Sequence, residues 1–128
     1  MSRKDQIQIG RRGEFLAAYI LETYGITTTH VDLQYDDLWC RTHSGELFRV
    51  QVKSTLKPTT YTTDLEKKRY QFWMGDSPPY HGVYVCVALD IELCLAFRDD
   101  RAVKTFKMRD SCFTEQKQTD SIREAFSL

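Results

Sequence analysis

The sequence predicts an α/β (α+β) fold in which a central mixed β-sheet is flanked by helices. The first observation is an apolar helical pattern that ends at Gly25, and the second is a strand–turn–strand pattern around His43-Ser44-Gly45. The third is a near-continuous apolar run over 83–89, which is typical of a strand covered on both faces. With 128 residues, the chain should form a single domain over 1-128.

The composition indicates a soluble protein without a membrane span, because no apolar run is long enough to cross a bilayer. The first ten residues lack the apolar segment of a secretory signal, so we expect a cytoplasmic location. The four cysteines have no zinc-type spacing and should be buried free thiols. The formal net charge of +0 excludes whole-molecule attraction to nucleic acid, although basic clusters could bind phosphates locally.

The strongest helix prediction covers 7–24, with Gly25 suited to the left-handed position after the helix. Apolar residues surround most of it, so we expect burial on more than one side. Glu14 begins a stripe at helical spacing whose other members are Ala17, Ala18 and Leu21. A carboxylate that faces the core needs a partner, and a metal ion or Lys53 could serve. The alternative is a surface acid in the first helical turn.

Arg11 and Arg12 lie between two glycines just after the predicted start of this helix. Guanidinium groups and flexible backbone near a helix N-terminus suit contact with phosphate. We therefore take both arginines as candidate DNA-binding residues. The threonine-rich segment 26–31 then predicts a first strand.

The hairpin over 35–54 has a register that its own alternation determines. With the turn centred on Ser44, the apolar residues pair on one face, Phe48 opposite Cys40 and Val50 opposite Leu38. On the other face Asp37 lies across from Gln51, with Lys53 on the diagonal. A register shifted by one residue would substitute Asp36 for Asp37, but it would oppose apolar and polar side chains.

A carboxylate, an amide and a lysine on one face match the needs of a magnesium site. Mg²⁺ prefers oxygen ligands, which Asp37 and Gln51 can supply, and Lys53 could hold a water or offset the charge of an oxyanion. The alternative is the solvated polar face of an edge hairpin.

The remaining segments complete the predicted sheet. A polar loop over 54–63 should cover the polar face of the hairpin, a strand follows over 67–74, and a Gly- and Pro-containing break follows over 75–79. The strand over 93–97 should pair with 83–89, a short strand is expected over 102–108, and Ser121-x-x-Glu124 predicts the start of a last helix. Basic and aromatic residues on these segments and on the hairpin are further candidate DNA contacts: Arg49, Lys57, Tyr61, Lys67, Lys68 and Arg69.

The segments GRRGEFLAAYIL, YDDLWCR and ELFRVQVKST together resemble the PD-(D/E)XK nuclease superfamily. They look like its Gln-x-Lys branch, which includes a cyanobacterial intron-encoded homing endonuclease. The resemblance covers the first half of the chain, and the later strands match only in character. The resemblance implies a restriction-endonuclease-like core and hydrolysis of DNA phosphodiester bonds with Mg²⁺, for which Mn²⁺ should substitute. It also implies a homodimer or homotetramer.

The resemblance also implies roles for four residues. Asp37 matches the metal-binding aspartate, Gln51 the second ligand position, Lys53 the catalytic lysine, and Glu14 the helix glutamate that helps to place metal or water. The motif's proline is absent, so Asp36 remains a second candidate ligand. The neutral Gln51 predicts weaker metal affinity and a single tightly held ion.

Three functions fit these residues. The first is a site-specific endonuclease of the homing type, and the second is a structure-selective enzyme of the Holliday junction resolvase type. The third is an inactive DNA-binding module that keeps the fold. Retention of Glu14, Asp37, Gln51 and Lys53 together favours an active enzyme.

Overall fold

The computed structural model describes residues 2–61, 64–74, 80–98 and 105–128, with the backbone alone for 61 and 64–67. Two helices, eight strands and a 3₁₀ turn lie in these ranges. In chain order they are α1 (Arg3–Thr23), β1 (Thr27–His30), β2 (Leu38–Arg41), β3 (Leu47–Thr55), β4 (Thr59–Tyr61), β5 (Asp64–Trp73), β6 (Val83–Ala88), β7 (Leu93–Phe97), β8 (Thr105–Arg109), the 3₁₀ turn (Asp110–Cys112) and α2 (Glu115–Ala125).

Five strands form a sheet in the order β1-β2-β3-β6-β7. The sheet is mixed, as predicted. Strands β3 and β6 are parallel, whereas the other neighbours pair antiparallel. The predicted pairing of β6 with β7 is therefore confirmed. A second sheet of three strands has the order β4-β5-β8.

The central sheet is covered on both faces, which explains why every residue of β6 is buried. On one face Val83, Val85 and Val87 join the core cluster that contains the buried residues of both helices. On the other face Tyr84 and Cys86 join a second cluster with the aromatic residues of β5. The protein thus has three layers, with both helices on one side of the central sheet and the smaller sheet on the other.

Helix α1 begins four residues earlier than the sequence pattern predicted, at Arg3. The Ser2 hydroxyl accepts a hydrogen bond from the Asp5 backbone N–H at 3.2 Å, and the Ser2 N–H donates to Asp5 Oδ2 at 3.3 Å. This capping box satisfies the first free donors of the helix. The predicted placement of Arg11 and Arg12 near a helix N-terminus is therefore wrong, since both lie in the helix interior. At the other end Gly25 has φ +81°, as expected.

Helix α1 is buried on one side, so the prediction of burial on several sides is also wrong. Its inner stripe carries Ala17 and Leu21 against the sheet, whereas Phe15 and Tyr19 are exposed on the outer side. The reason is architectural, because the helix forms the outermost layer and has only one sheet beneath it. Phe15 is partly covered by the His30 ring, at a centroid distance of 4.8 Å.

Two other predicted boundaries are wrong. The segment 54–63 was expected to be a loop, but β3 continues to Thr55 and Thr59–Tyr61 forms the edge strand β4. Helix α2 begins at Glu115, capped by Thr114, whose hydroxyl accepts from the Lys117 N–H at 3.1 Å. Ser121 does not cap a helix, and its hydroxyl instead accepts from the Ala96 N–H of β7 at 3.1 Å.

Strands β5 and β8 match the predicted segments apart from their ends. The predicted break over 75–79 and the first part of the strand predicted over 102–108 lie outside the described residues. Cys40, Cys86 and Cys94 are buried free thiols, as predicted, and Cys112 is half-buried. Within the described ranges no helix is long and apolar enough to cross a membrane.

Candidate active site

The β2–β3 hairpin has the predicted register. Leu38 pairs with Val50 and Cys40 with Phe48, so these side chains share one face of the hairpin. In the turn, Gly45 has φ +91° and donates its N–H to the Thr42 carbonyl at 2.9 Å. A glycine suits this position because a left-handed backbone costs it little. The hairpin therefore places the residues around Asp37 beside the middle of β3.

Asp37, just before β2, is held by its backbone and by its side chain. Its N–H donates to the Val50 carbonyl at 2.8 Å, and its carbonyl accepts from the Val31 N–H at 3.1 Å. Its carboxylate oxygen Oδ2 accepts from the Val52 N–H at 2.8 Å. A backbone donor that directly contacts a carboxylate fixes its position and offsets part of its charge. Asp37 is thus built into the sheet.

Helix α1 approaches β3 closely at Gly13. A Cβ atom added to Gly13 would lie 1.6 Å from Ser54 Oγ and 2.6 Å from Ser54 Cβ, distances that no real contact allows. Glycine at this position therefore lets the helix pack directly against the Ser54 side chain of β3. The next residue of the helix is Glu14, so this approach brings the Glu14 carboxyl to the end of the hairpin.

The carboxyl groups of Glu14 and Asp37 lie close enough to interact with each other. Burial raises the pKa of Glu14 to about 7, with further contributions from the hydrogen bond to Asp37 and from its negative charge. Arg11 opposes this shift. Two carboxyl groups in contact disfavour double ionisation, so one of them holds a proton near neutral pH. A divalent cation between them would replace that proton.

Lys53 lies on β3, close enough to Asp37 for their charges to interact. It is half-buried, and burial lowers the pKa of its ammonium group, although the negative charge of Asp37 partly offsets that effect. Gln51 lies two residues earlier on β3 and pairs with Tyr84 of β6. Both belong to the half-buried positions that alternate with Val50 and Val52. The predicted site residues therefore come from α1, from the segment before β2, and from β3.

The donor set fits a hard cation. Glu14 and Asp37 supply two carboxylates, and Gln51 could add a neutral carbonyl oxygen. Among the residues that the structure describes, no group of three or more His, Cys, Asp or Glu side chains could hold a metal. A site here therefore depends on the two carboxylates, the amide and water, which is a composition that Mg²⁺ tolerates.

Asp36, the second candidate ligand, is occupied by other partners. It is buried and accepts hydrogen bonds from Tyr80 Oη at 2.6 Å, from Trp39 Nε1 at 2.9 Å, and from Arg49 Nε at 2.9 and 3.0 Å. No local sequence pattern predicts this cluster, because Tyr80 is 44 positions away from Asp36. Its carboxylate oxygens are thus taken by protein donors.

The candidate DNA-binding residues differ in how far their side chains are exposed. Arg11, Arg12, Lys57 and Lys68 are exposed, whereas Arg69 is half-buried. Arg49 is paired with Asp36 but keeps about half of its side chain exposed, at 51%. Tyr61 lies on β4 and Lys67 on β5, and the side chains of both lie outside the described part of the chain.

Comparison with known proteins identifies the fold. No family model matches the chain, and no curated protein sequence matches it. Among solved structures, the fold is similar to that of a bacterial homing endonuclease, I-Ssp6803I, with a TM-score of 0.66 and 17% sequence identity. The match covers 98% of this chain and 95% of that one. The whole chain therefore shares this nuclease-like fold, with a mixed central sheet and two helices.

Proposed function

We propose that this protein is a magnesium-dependent DNA endonuclease that hydrolyses phosphodiester bonds at specific sites, as homing enzymes do. The observation that carries the proposal is the contact between the Glu14 and Asp37 carboxyl groups beside Lys53. The fold shared with a homing endonuclease along almost the whole chain supports it. We assign the chain to the Gln-x-Lys branch of the PD-(D/E)XK superfamily on the same grounds.

Asp37, Glu14 and Gln51 are the residues that would hold Mg²⁺, and Mn²⁺ should substitute for it. The bound ion would supply Lewis-acid activation of the phosphate and of the attacking water. The surroundings of Glu14 are consistent with this assignment, because burial raises its pKa first and the neighbouring Asp37 carboxylate, whose charge a cation would neutralise, raises it further. Gln51 adds an oxygen without adding charge, and this favours a single ion over two.

Lys53 is the proposed group that orients the attacking water and stabilises the extra charge of the phosphorane-like transition state. Its ammonium group is half-buried and lies near the Asp37 carboxylate. A preorganised cation in a partly desolvated site stabilises developing negative charge better than an exposed lysine does. Burial lowers the pKa of Lys53, and this also eases proton exchange with a bound water.

DNA binding would use the exposed basic residues around this site. Lys57 precedes β4, Lys68 lies on β5, and Arg11 and Arg12 belong to α1. Side chains of this kind neutralise phosphates and position a duplex without reading its sequence.

A homodimer or homotetramer would extend the reach of such a small chain along a long target. Exposed aromatic residues on α1 and β5, namely Phe15, Tyr19 and Trp73, are candidate contact surfaces. We expect the protein to act in the cytoplasm.

The test is a nicking assay on supercoiled plasmid with Mg²⁺, Mn²⁺ or Ca²⁺. Asp37→Ala and Lys53→Ala should each reduce the rate by at least about 10²-fold while DNA binding is retained. Lys117→Ala is the matched control, since it removes an exposed lysine on α2 to which no DNA contact is assigned, and it should leave the rate within a few-fold. Equal loss in both lysine variants would contradict the assignment of Lys53.

The substrate is tested with the wild-type protein on a four-way junction and on a pool of random duplexes. A site-specific enzyme should cut a restricted subset of the duplexes, and sequencing of the cut ends would define it. Cleavage of any junction with no cutting of duplex would indicate a resolvase. A wild-type protein that binds DNA but cuts nothing with any of the cations would be the inactive module.

A further inference from the structure

We propose that Asp36 is a positioning residue for the nuclease site, whose buried carboxylate fixes the backbone that carries Asp37. The catalytic part of this inference rests on the proposed function. Asp36 lies next to Asp37 in the chain and is only 4% exposed. It does not need to contact substrate or metal for this role.

The carboxylate of Asp36 is fully occupied by protein donors. Oδ1 accepts from Tyr80 Oη at 2.6 Å and from Arg49 Nε at 3.0 Å. Oδ2 accepts from Trp39 Nε1 and from Arg49 Nε, both at 2.9 Å. Burial raises the pKa of Asp36, but the hydrogen bonds from Arg49, Trp39 and Tyr80 outweigh burial and keep its pKa below the usual value. Because protein donors occupy both of its carboxylate oxygens, Asp36 is unsuited to bind a cation.

These donors join three parts of the fold at one point. Trp39 belongs to β2, Arg49 is its cross-strand partner on β3, and Tyr80 precedes β6. The Arg49 guanidinium also lies over the Tyr80 ring, 5.3 Å from its centroid. Charge-assisted hydrogen bonds of this kind are strong and directional. The Asp36 carboxylate thus ties the start of β2 to two other strands of the central sheet.

The segment that leads into β2 depends on this anchor. Residues 31–37 form neither helix nor strand, and 32–34 are exposed, whereas Asp36 is buried. Asp37 lies at the end of this segment, where its Oδ2 accepts the hydrogen bond from the Val52 N–H at 2.8 Å. If the Asp36 carboxylate lost its hydrogen bonds, the segment would lose this buried attachment. The Asp37 carboxylate would then move away from the Val52 N–H and from Glu14.

Two matched variants test this inference without relying on activity. Tyr80→Phe removes the 2.6 Å hydrogen bond to Asp36 and keeps the ring beneath Arg49. Tyr70→Phe is the control, because Tyr70 is also buried and also donates to a carboxylate, that of Asp90, at 3.0 and 3.1 Å. Asp36→Asn is a second and stronger variant, which keeps the shape of the side chain and removes its charge.

The readout is hydrogen exchange of the Val52 amide in the metal-free protein, relative to the Val85 amide in β6. We expect this ratio to rise at least about tenfold in Tyr80→Phe and further in Asp36→Asn, but to stay constant in Tyr70→Phe. A general loss of stability would accelerate the exchange of both amides, so its effect cancels in the ratio. An unchanged ratio in Tyr80→Phe and Asp36→Asn would overturn the inference.

Nicking kinetics test the catalytic part. We expect Tyr80→Phe to lower kcat about tenfold and to raise the Mg²⁺ concentration needed for half-maximal rate, with DNA affinity unchanged. If Asp36→Asn abolished the Mg²⁺ response while Tyr80→Phe left it intact, Asp36 would be a ligand and the inference would be wrong. A wild-type protein that never nicks DNA would refute the proposed function, and with it the catalytic part, whereas the exchange ratio would still decide whether Asp36 positions Asp37.

Discussion

The Asp37 carboxylate takes the place of a backbone partner for Val52, whose N–H donates to Oδ2 at 2.8 Å. The pairing of β2 with β3 ends at Leu38 and Val50, so this side chain continues the hydrogen bonding of β3 beyond the hairpin. A metal-binding group that is also part of the sheet loses little entropy when a cation binds. The stability of the hairpin and the geometry of the proposed site are therefore linked.

Gly13→Ala should destabilise the protein and displace Glu14. The added Cβ would lie 1.6 Å from Ser54 Oγ, so α1 or β3 must move, at a cost of about 1–3 kcal/mol. Because Glu14 follows directly, the nicking rate should also fall. Urea unfolding and the plasmid assay measure the two effects.

Gly10→Ala is the matched control for that variant. Gly10 lies in the same helix, and a Cβ there would meet nothing within 4 Å. It should stabilise the protein by about 0.5–1 kcal/mol, because alanine favours the helix. The double variant Gly13→Ala with Ser54→Gly should restore the position of Glu14 and the nicking rate. Destabilisation by Gly10→Ala, or none by Gly13→Ala, would contradict the close approach of α1 to β3.

Glu14→Gln should stabilise the metal-free protein at alkaline pH. Burial raises the folded-state pKa of Glu14 to about 7 from an ordinary value of 4.5, so folding favours its protonated form. Its contribution to stability is fully present below pH 4.5 and is lost as pH rises through about 7. Glutamine resembles the protonated form at every pH. Near pH 8 the variant should exceed the wild type by on the order of 2 kcal/mol, after allowance for solvent screening.

The measurement is the free energy of unfolding of both proteins in chelator, from acidic to alkaline pH. Below the ordinary pKa of Glu14 the two curves should coincide, and they should separate as pH approaches neutrality. Addition of Mg²⁺ should stabilise only the wild type, because the ion binds the ionised pair. Parallel curves at all pH values would mean that folding does not raise the pKa of Glu14.

The Mg²⁺ requirement for nicking should depend on pH. A cation must displace the proton that Glu14 holds below a pKa of about 7. The half-saturating Mg²⁺ concentration should therefore rise about tenfold for each unit of pH below that value, and it should level off above it. In Glu14→Gln this slope should disappear. A requirement independent of pH in the wild type would argue against Glu14 as a ligand.

Alkylation should distinguish the cysteines. Burial raises the pKa of Cys40 and Cys94 to about 12 and raises that of Cys86 as well, so their thiols resist reagents. Cys112 is half-buried and should be modified first. Mass spectrometry after brief iodoacetamide treatment of the folded protein measures this order. Early labelling of Cys86 would contradict the packing of the central sheet.

The hairpin and its register could be predicted because their signals are local. The alternation along β3 admits one register without burying polar groups, and that register places Leu38 opposite Val50. The apolar stripe behind Glu14 likewise predicted which side of α1 faces the sheet. These features depend on periodicity, which the sequence displays directly.

Features that depend on distant partners could not be predicted. The three-layer arrangement leaves Tyr19 with 69% of its surface exposed, although its neighbours in the sequence are apolar. The role of Asp36 depends on its hydrogen bond from Tyr80, and the close approach of α1 to β3 depends on the contact between Gly13 and Ser54. Ser2 and Thr114 were missed as helix caps because each precedes a polar stretch without an apolar pattern.

The central claim is that Glu14 and Asp37 hold one divalent cation between them. Calorimetric titration of the protein with Mg²⁺ in the absence of DNA tests it most directly, together with Glu14→Gln, Asp37→Asn and the control Asp32→Asn. Asp32 is exposed and its charge also raises the pKa of Glu14, so its variant removes nearby charge without removing a proposed ligand. We expect one ion per chain, binding that is lost in Glu14→Gln and Asp37→Asn, and binding that weakens only slightly in Asp32→Asn. Two tightly held ions, or affinity unchanged by Asp37→Asn, would contradict the account.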